Sequence, residues 1–536
     1  MNYELCIVMG GAVLRSWLKM FKELTIREKN QRSIREHDPT QIEQEWLQPL
    51  SSSRIREVLS KSSDVIFRDF NIQGKEAVPC TLIMVDGLVD KQLLDQFVLK
   101  ALMVDSAGRP ELTQMTLKTA LETVEQSLAP ANEIKKITQL GEAIDAILSG
   151  DAVLFFAQTQ EALVIGARGW VNRGVTEPET ETVVRGPREG FSETLRINTS
   201  LLRRKIKHPS LRLVSLKIGD MTRTDVVVTY IENIASPDVV SEVFKRLSRI
   251  KIDGVLESAY LEEMIEDNPY SPFPQVAYTE RPDGLAAELL EGKVGILVDG
   301  TPIALTVPTV FWQFLQVSED YYERAMIMIL VRFIRYVGVG IALLAPSVYI
   351  AATTFHQEIL PTSIALSIAA GREGVPFPAL MEALLMIIIL EILQEAGLRL
   401  PKPIGQTIGI VGALVIGDAA VKASLVSPIM VIIVGITAVS SYAIPAYDMA
   451  IAVRLIRIPL TIIAGITGFF GVSVVLYGLL IHVLSLRSFG VPYFSPVAPL
   501  RIRALLQDVF VTAPIWAQKR RPNLIDTDEP KSGRKK

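Results

Sequence analysis

Gly292-Lys-Val-Gly-Ile-Leu-Val-Asp-Gly-Thr-Pro-Ile-Ala-Leu-Thr-Val-Pro308 holds two short apolar runs, 294–298 and 303–307, joined through Asp299-Gly300, a strong two-residue turn signal. It reads as a β-hairpin following a helix that ends at Leu285 to Leu290. The same order occurs earlier: Gly150-Asp-Ala-Val-Leu-Phe155 aligns with Gly292-Lys-Val-Gly-Ile-Leu297 at an offset of 142, and a second apolar run follows at 162–165. Working outward, the run 80–85 precedes a stretch, 91–103, whose Leu93, Leu94, Phe97, Val98 and Leu102 recur at helical spacing. The run 226–231 likewise precedes a helix opened by Pro237 and carrying Val240, Val243, Phe244 and Leu247. These pairs predict a duplicated unit: an α/β soluble N-terminal region of two similar subdomains, 60–190 and 191–323, with 80–85 matching 226–231.

The remainder is of another kind. From Ala325 to Leu500 there are 16 charged residues in 176, whereas the other 360 residues of the 536 hold 97, so a soluble part is joined to a membrane part. Residues 336–357, 423–447 and 458–486 carry no charge and are long enough to span a bilayer. Residues 379–397 carry Glu382, Glu391 and Glu395, and 404–420 is only 17 residues and contains Asp418. An α-helical multi-pass membrane domain of four to five segments is therefore expected over 324–490, with a basic tail, 491–536, after it. Ahead of both lies a charged arm, 1–59, expected to be largely disordered. Its apolar run 5–14 is too short to span and has only Glu4 before it, so it reads as an uncleaved extension rather than a secretory signal.

Basic residues orient the spans. Arg324, Arg332, Arg335, Arg399, Lys402, Arg454 and Arg457 flank them, and the tail from Arg501 has nine basic against four acidic residues. The soluble part, turns at 399–403 and 448–457, and the tail are thus expected on the cytoplasmic side. Five crossings would leave the tail outside. Four full crossings, with 404–420 or another segment re-entrant or interfacial, restore the parity.

Carboxylates at membrane depth are the informative polar groups. Glu391 and Glu395 share a helix face and Glu382 points the opposite way, and all three are candidates for an ion path or a subunit interface. Glu391, nearest its segment's middle, is expected either to pair with Arg332, Arg335 or Lys422, as buried cations, or to line an ion path or subunit interface. Asp418 and Lys422, four apart, are candidates for the same path or for pairing with each other. Gly405, Gly409 and Gly412 suit close helix packing or oligomerisation. A net charge of minus three gives no nucleic-acid footprint. Cys6, Cys80 and four scattered histidines give no metal-ligand spacing, and no phosphate loop, nucleophile elbow or zinc-protease motif occurs, so neither a cofactor nor an enzyme activity is expected. The cationic run Arg203 to Lys207 reads as a solvated helix face, with lipid headgroups or an acidic partner as the alternative.

Tyr278-Thr-Glu-Arg-Pro-Asp283, Glu319-Asp-Tyr-Tyr-Glu-Arg324, Arg332-Phe-Ile-Arg335, Thr354-Phe-His-Gln-Glu358, Glu382-Ala-Leu-Leu-Met386, Ile404-Gly-Gln406, Val426-Ser-Pro428 and Leu486-Arg-Ser-Phe-Gly-Val-Pro-Tyr493, with Gly295 to Pro302, resemble the A subunits of GerA-type spore germinant receptors over about 194–499. The resemblance implies a protein of the spore inner membrane. It also implies a permease-like B subunit and a lipoprotein C subunit as partners, contact with membrane lipid, and a homo-oligomer that forms an ion path coupling nutrient sensing to germination. Rival readings are a secondary transporter, since broken membrane segments also hold substrates, and a structural scaffold of the spore membrane.

Overall fold

The computed structural model describes residues 49–72, 77–103, 119–128, 134–156, 159–169, 177–178, 180–399, 417–510 and 512–514. The first unit runs α1 (Ser52–Leu59), β1 (Val65–Ile72), β2 (Val78–Val85), a continuous helical stretch α2 over 91–103 with a π-helical middle, α3 (Ala120–Leu128), β3 (Ile134–Ile137), α4 (Leu140–Leu148), β4 (Ala152–Phe156) and β5 (Ala162–Ile165). The second repeats that order as α5 (Leu195–Lys205), β6 (Leu211–Ile218), β7 (Thr224–Ile231), α6 (Pro237–Arg249), α7 (Ser258–Ile265), β8 (Ala277–Thr279), α8 (Pro282–Leu290), β9 (Val294–Val298) and β10 (Ala304–Val307). Local chemistry places the helix ends. Asp90 accepts from Leu93 N at 3.1 Å to start α2, Pro237 and Pro282 open α6 and α8, and Gly150 and Gly292, at φ 95° and 97°, follow α4 and α8.

Both sheets have the strand order edge, second, fourth, fifth, third, and every pairing is antiparallel. The repeat extends to register. Val65 pairs with Val85 as Leu211 pairs with Ile231, both 146 positions later, and Ala152 pairs with Ile165 as Val294 pairs with Val307, both 142 later. Leu82 opposite Leu154 matches Val228 opposite Ile296. Alternation then sends Leu82 and Leu154 to the face covered by α2 and α3, and Ile83 and Val153 to the face covered by α1 and α4. Val228 and Ile296 meet α6 and α7, while Val227 and Leu297 meet α5 and α8. Each unit is one sheet between two helix pairs.

Three details differ from the expected pattern. The arm does not reach residue 59, because α1 buries Ile55 and Leu59 in the first unit's core. Edge strands β1 and β6 join each sheet, with burial too irregular to stand out as apolar runs. The connection after β9 is longer than two residues, since β10 begins at Ala304; Thr301 there donates to Glu257 at 3.0 Å.

Five further helices form a bundle: α9 (Ala325–Thr354), α10 (Thr362–Arg372), α11 (Ala379–Arg399), α13 (Pro428–Tyr442) and α14 (Tyr447–Ser485), with the short α12 (Gly417–Lys422) before α13. Two of them, α9 and α14, are long and apolar enough to cross a membrane by length and composition. The trace through α14 is interrupted at Gly468, φ 64° and ψ −148°. Contacts show a fold-back there. Met449 and Val453 share a core cluster with Val483 and Leu486, residues a straight helix would hold about 50 Å apart. Ala446 N donates to Phe314 O at 3.4 Å and Ser271 meets His482 at 2.9 Å, so both ends of α14 reach the soluble part.

Topology expectations are revised accordingly. The single span at 458–486 is replaced by two antiparallel legs, 447–467 and 469–485, and 448–457 is helix, not a turn. That fold-back returns the chain after Ser485 to the end of the bundle beside the soluble part. Described helices make five legs between the end beside the soluble part and the far end. The chain leaves the near end at Arg399 and is described again at Gly417, near the far end; 400–416, with the expected turn at 399–403 beyond its first residue and most of 404–420, lies outside the described residues.

Candidate functional site

Charged side chains meet the helical bundle at three levels. At the near end, the turn Ser318–Tyr321 brings Asp320 against α9, which begins a few residues later. Arg332 Nε donates to Asp320 Oδ2 at 2.9 Å and Arg335 Nη1 to the same oxygen at 3.0 Å, with all three side chains nearly free of solvent. The tail closes this group. Arg332 lies 3.5 Å from the Asp508 carboxylate and also donates to its main-chain oxygen, Tyr321 donates to Asp508 Oδ1 at 2.7 Å, Gln316 donates to Asp508 O at 2.8 Å, and Tyr336 donates to Val509 O at 2.5 Å. Two arginines and two carboxylates are thus matched, as burial requires. Arg332 and Arg335 were expected as partners of Glu391; they are committed here instead, because α9 places them close to the junction with the soluble part.

Deeper in the bundle, Glu391 of α11 pairs with Arg457 of α14 at 2.6 Å and lies 3.8 Å from Arg454. Arg457 is fully buried and its Nη1 stands 3.5 Å from Ser441 Oγ on α13. Those arginines were missed as partners because, on either side of Leu455 and Ile456, they read as the border of a turn. Glu395, one turn past Glu391, is exposed. Lys422 pairs with Asp418 at 2.6 Å on the surface, not with Glu391, and neither joins the Glu391 group. At the far end, buried Glu382 lies 3.2 Å from Arg372 of α10 and accepts from Ser427 N at 2.9 Å, just ahead of α13. Glu382 and Glu391 therefore belong to separate groups. Gly405, Gly409 and Gly412 lie outside the described residues.

The soluble part reaches the junction through a strap between the units. Glu181 accepts from Thr279 Oγ1 at 2.6 Å and from Glu280 N at 3.0 Å, and burial pushes its carboxyl up to about 7. Arg281 donates to Pro187 O at 2.9 Å and to Asp283 at 2.8 Å, and Tyr322, at the threshold of α9, donates to Asp283 at 2.5 Å. Glu262 of α7 is raised to about 8, first by burial and then by Asp448 at the start of α14. Between the units, Arg203 grips Asp64 through two bonds of 2.7 and 3.0 Å, both side chains buried. Arg203 is therefore not part of a solvated cationic face. Beside it, a cleft of about 290 Å³ is lined by Asp86, Lys91 and Arg196 among others. Among the described residues, no three His, Cys, Asp or Glu gather closely enough to hold a metal ion.

Comparison with known proteins places this arrangement. The chain is 43% identical over 477 residues to the membrane protein YfkQ of Bacillus subtilis (strain 168), covering 88% of this chain and 90% of that one. It is 42% identical over 471 residues to spore germination protein KA of the same organism, covering 88% and 85%, and 39% identical over 475 residues to spore germination protein GerLA of Bacillus cereus, covering 89% and 95%. A crystal structure of the N-terminal domain of the A subunit of the Bacillus megaterium spore germinant receptor GerK3 is 33% identical, covering 49% of this chain and 97% of that one, at a TM-score of 0.39. The family model for Bacillus/Clostridium GerA spore germination proteins matches residues 53–524, and the chain belongs to that family.

Proposed function

We propose that the protein is the membrane-embedded A subunit of a germinant receptor in the spore inner membrane, a homo-oligomer that works with permease-like B and lipoprotein C subunits to turn nutrient sensing into ion release. It has no catalytic role. The soluble units and the tail lie on the cytoplasmic side, and the helical legs cross the bilayer. The observation that supports this reading is the Glu391–Arg457 pair, about 18 Å along α11 from its start. A carboxylate at that depth requires a cation, water or a neighbouring helix. The Asp320–Arg332–Arg335–Asp508 group gives the soluble part a rigid grip on α9, so motion there reaches the bundle.

The test is Glu391→Gln in spores, with subunit abundance and germination-linked ion release measured together. Retained abundance with altered release is expected. Normal abundance with normal release would remove Glu391 from the mechanism.

A further inference from the structure

The Glu391 group is unbalanced. It holds two guanidinium groups and one carboxylate, and among the described residues no other carboxylate comes within ion-pair distance of Arg454 or Arg457. Elsewhere in the bundle the ion pairs among the described residues are matched: Arg332 and Arg335 by Asp320 and Asp508, Arg372 by Glu382. Each guanidinium carries five N–H donors. Glu391 takes one of them at 2.6 Å, Ser441 Oγ stands at 3.5 Å, and the Glu391–Arg454 separation of 3.8 Å is an ion pair without a hydrogen bond. Nε of Arg454 and Nε of Arg457 are buried with no acceptor. Gln394 follows Glu391 by three residues, on the same side of α11, is only 9% exposed, and both its amide atoms lack partners.

We propose that Arg454, Arg457 and Gln394 form a binding site for a phosphate-class oxyanion, supplied either by the headgroup of an acidic phospholipid or by a free inorganic anion. The inference rests on the reading of the helices as membrane-spanning. A residual positive charge among apolar helices is costly, and an oxyanion both neutralises it and accepts the unused donors. The planar guanidinium fork suits phosphate geometry. Access runs past Arg454, whose side chain is 17% exposed, while Arg457 behind it is sealed. Arg454 lies seven residues past Tyr447, about 10 Å from the near end, within reach of the headgroup layer for a long side chain. Basic pockets between membrane helices on the cytoplasmic side take lipid phosphates in this way.

The test uses the full chain in nanodiscs of phosphatidylcholine with or without phosphatidylglycerol, with retained lipid counted by native mass spectrometry, and the detergent-solubilised chain titrated with inorganic phosphate while its thermal midpoint is followed. Phosphatidylglycerol retention that weakens roughly tenfold or more in Arg454→Gln, less in Arg454→Lys, and tightens in Glu391→Gln supports a lipid phosphate at the site. A phosphate-dependent rise in midpoint that Arg454→Gln abolishes supports a free anion at the same site. Equal phosphatidylglycerol retention by all variants, with no phosphate response, overturns the site. A chain that fails to enter nanodiscs refutes the membrane reading, and the phosphate titration still decides the site.

Discussion

The two soluble units share strand order and register, yet they carry opposite assignments in the assembly. The second is bolted to the bundle: Tyr493 donates to Pro274 O at 2.7 Å, Ser488 to Gln275 O at 2.8 Å, and Arg246 lies 4.2 Å over the Phe489 ring. The first meets the second through Asp64–Arg203, Lys61–Glu232 and Arg212 to Val58 O. Duplication supplied one sheet and register twice, and the cores kept their apolar character at matched positions while a few interior residues, such as Val153 against Gly295, diverged. A packed interior tolerates little change without loss of stability, whereas surface positions change freely.

The largest effect should come from breaking the joint between the units. Arg203→Ala leaves Asp64 buried without a cation and should cost about 3–5 kcal/mol, seen as faster cleavage between the units in limited proteolysis and a lower denaturation midpoint. Replacing both partners, Asp64→Leu with Arg203→Met, should recover most of that loss.

Equivalent core positions sharpen the comparison. Leu154→Ala and Ile296→Ala, both fully buried and in matched registers, should each cost about 2–5 kcal/mol in urea unfolding. If the cores are interchangeable, the two values differ by less than about 1 kcal/mol.

A pH effect belongs to the second unit and its strap. The folded Glu181 carboxyl titrates near 7, above its ordinary value, so between roughly pH 4.5 and 7 the folded chain holds a proton that the unfolded chain has lost. This group's contribution to stability should therefore fall as pH rises through that window, by on the order of 3 kcal/mol in total, and then level off. Glu181→Gln should remove this part of the slope of midpoint against pH and leave the part due to Glu262.

The smallest effect tests where the units diverge inside. The first unit has Val153 where the second has Gly295, and a Cβ at Gly295 would stand 2.7 Å from Leu285 and 2.8 Å from Thr229. Gly295→Val should cost about 1–3 kcal/mol by overpacking, while Val153→Ile at the matched position tests whether the first unit has more room between helix and sheet.

Local signals make much of this legible. Hairpins, the glycines after α4 and α8, and the prolines opening α6 and α8 announce themselves in a few consecutive residues, so the repeat can be read from the order of residues alone. Edge strands cannot: in β1, Arg68 and Asp69 break the apolar alternation that marks a strand. Ion-pair partners are least legible, since Arg332 meets Asp508 and Glu391 meets Arg457 only through tertiary packing. Sequence spacing offers Glu391 three wrong cations. The uncharged run 458–486 hides its turn because Gly468 is one of several glycines there, and apolar length alone reads as one straight rod.

That single-residue turn has a topographical consequence. With Thr467 and Phe469 both helical, the hairpin presents no loop at the far end. A protease or impermeant label acting from that side would have the 355–378 segment and the approach to α13 to attack, and would pass over the 39 residues of α14 as if they had never emerged.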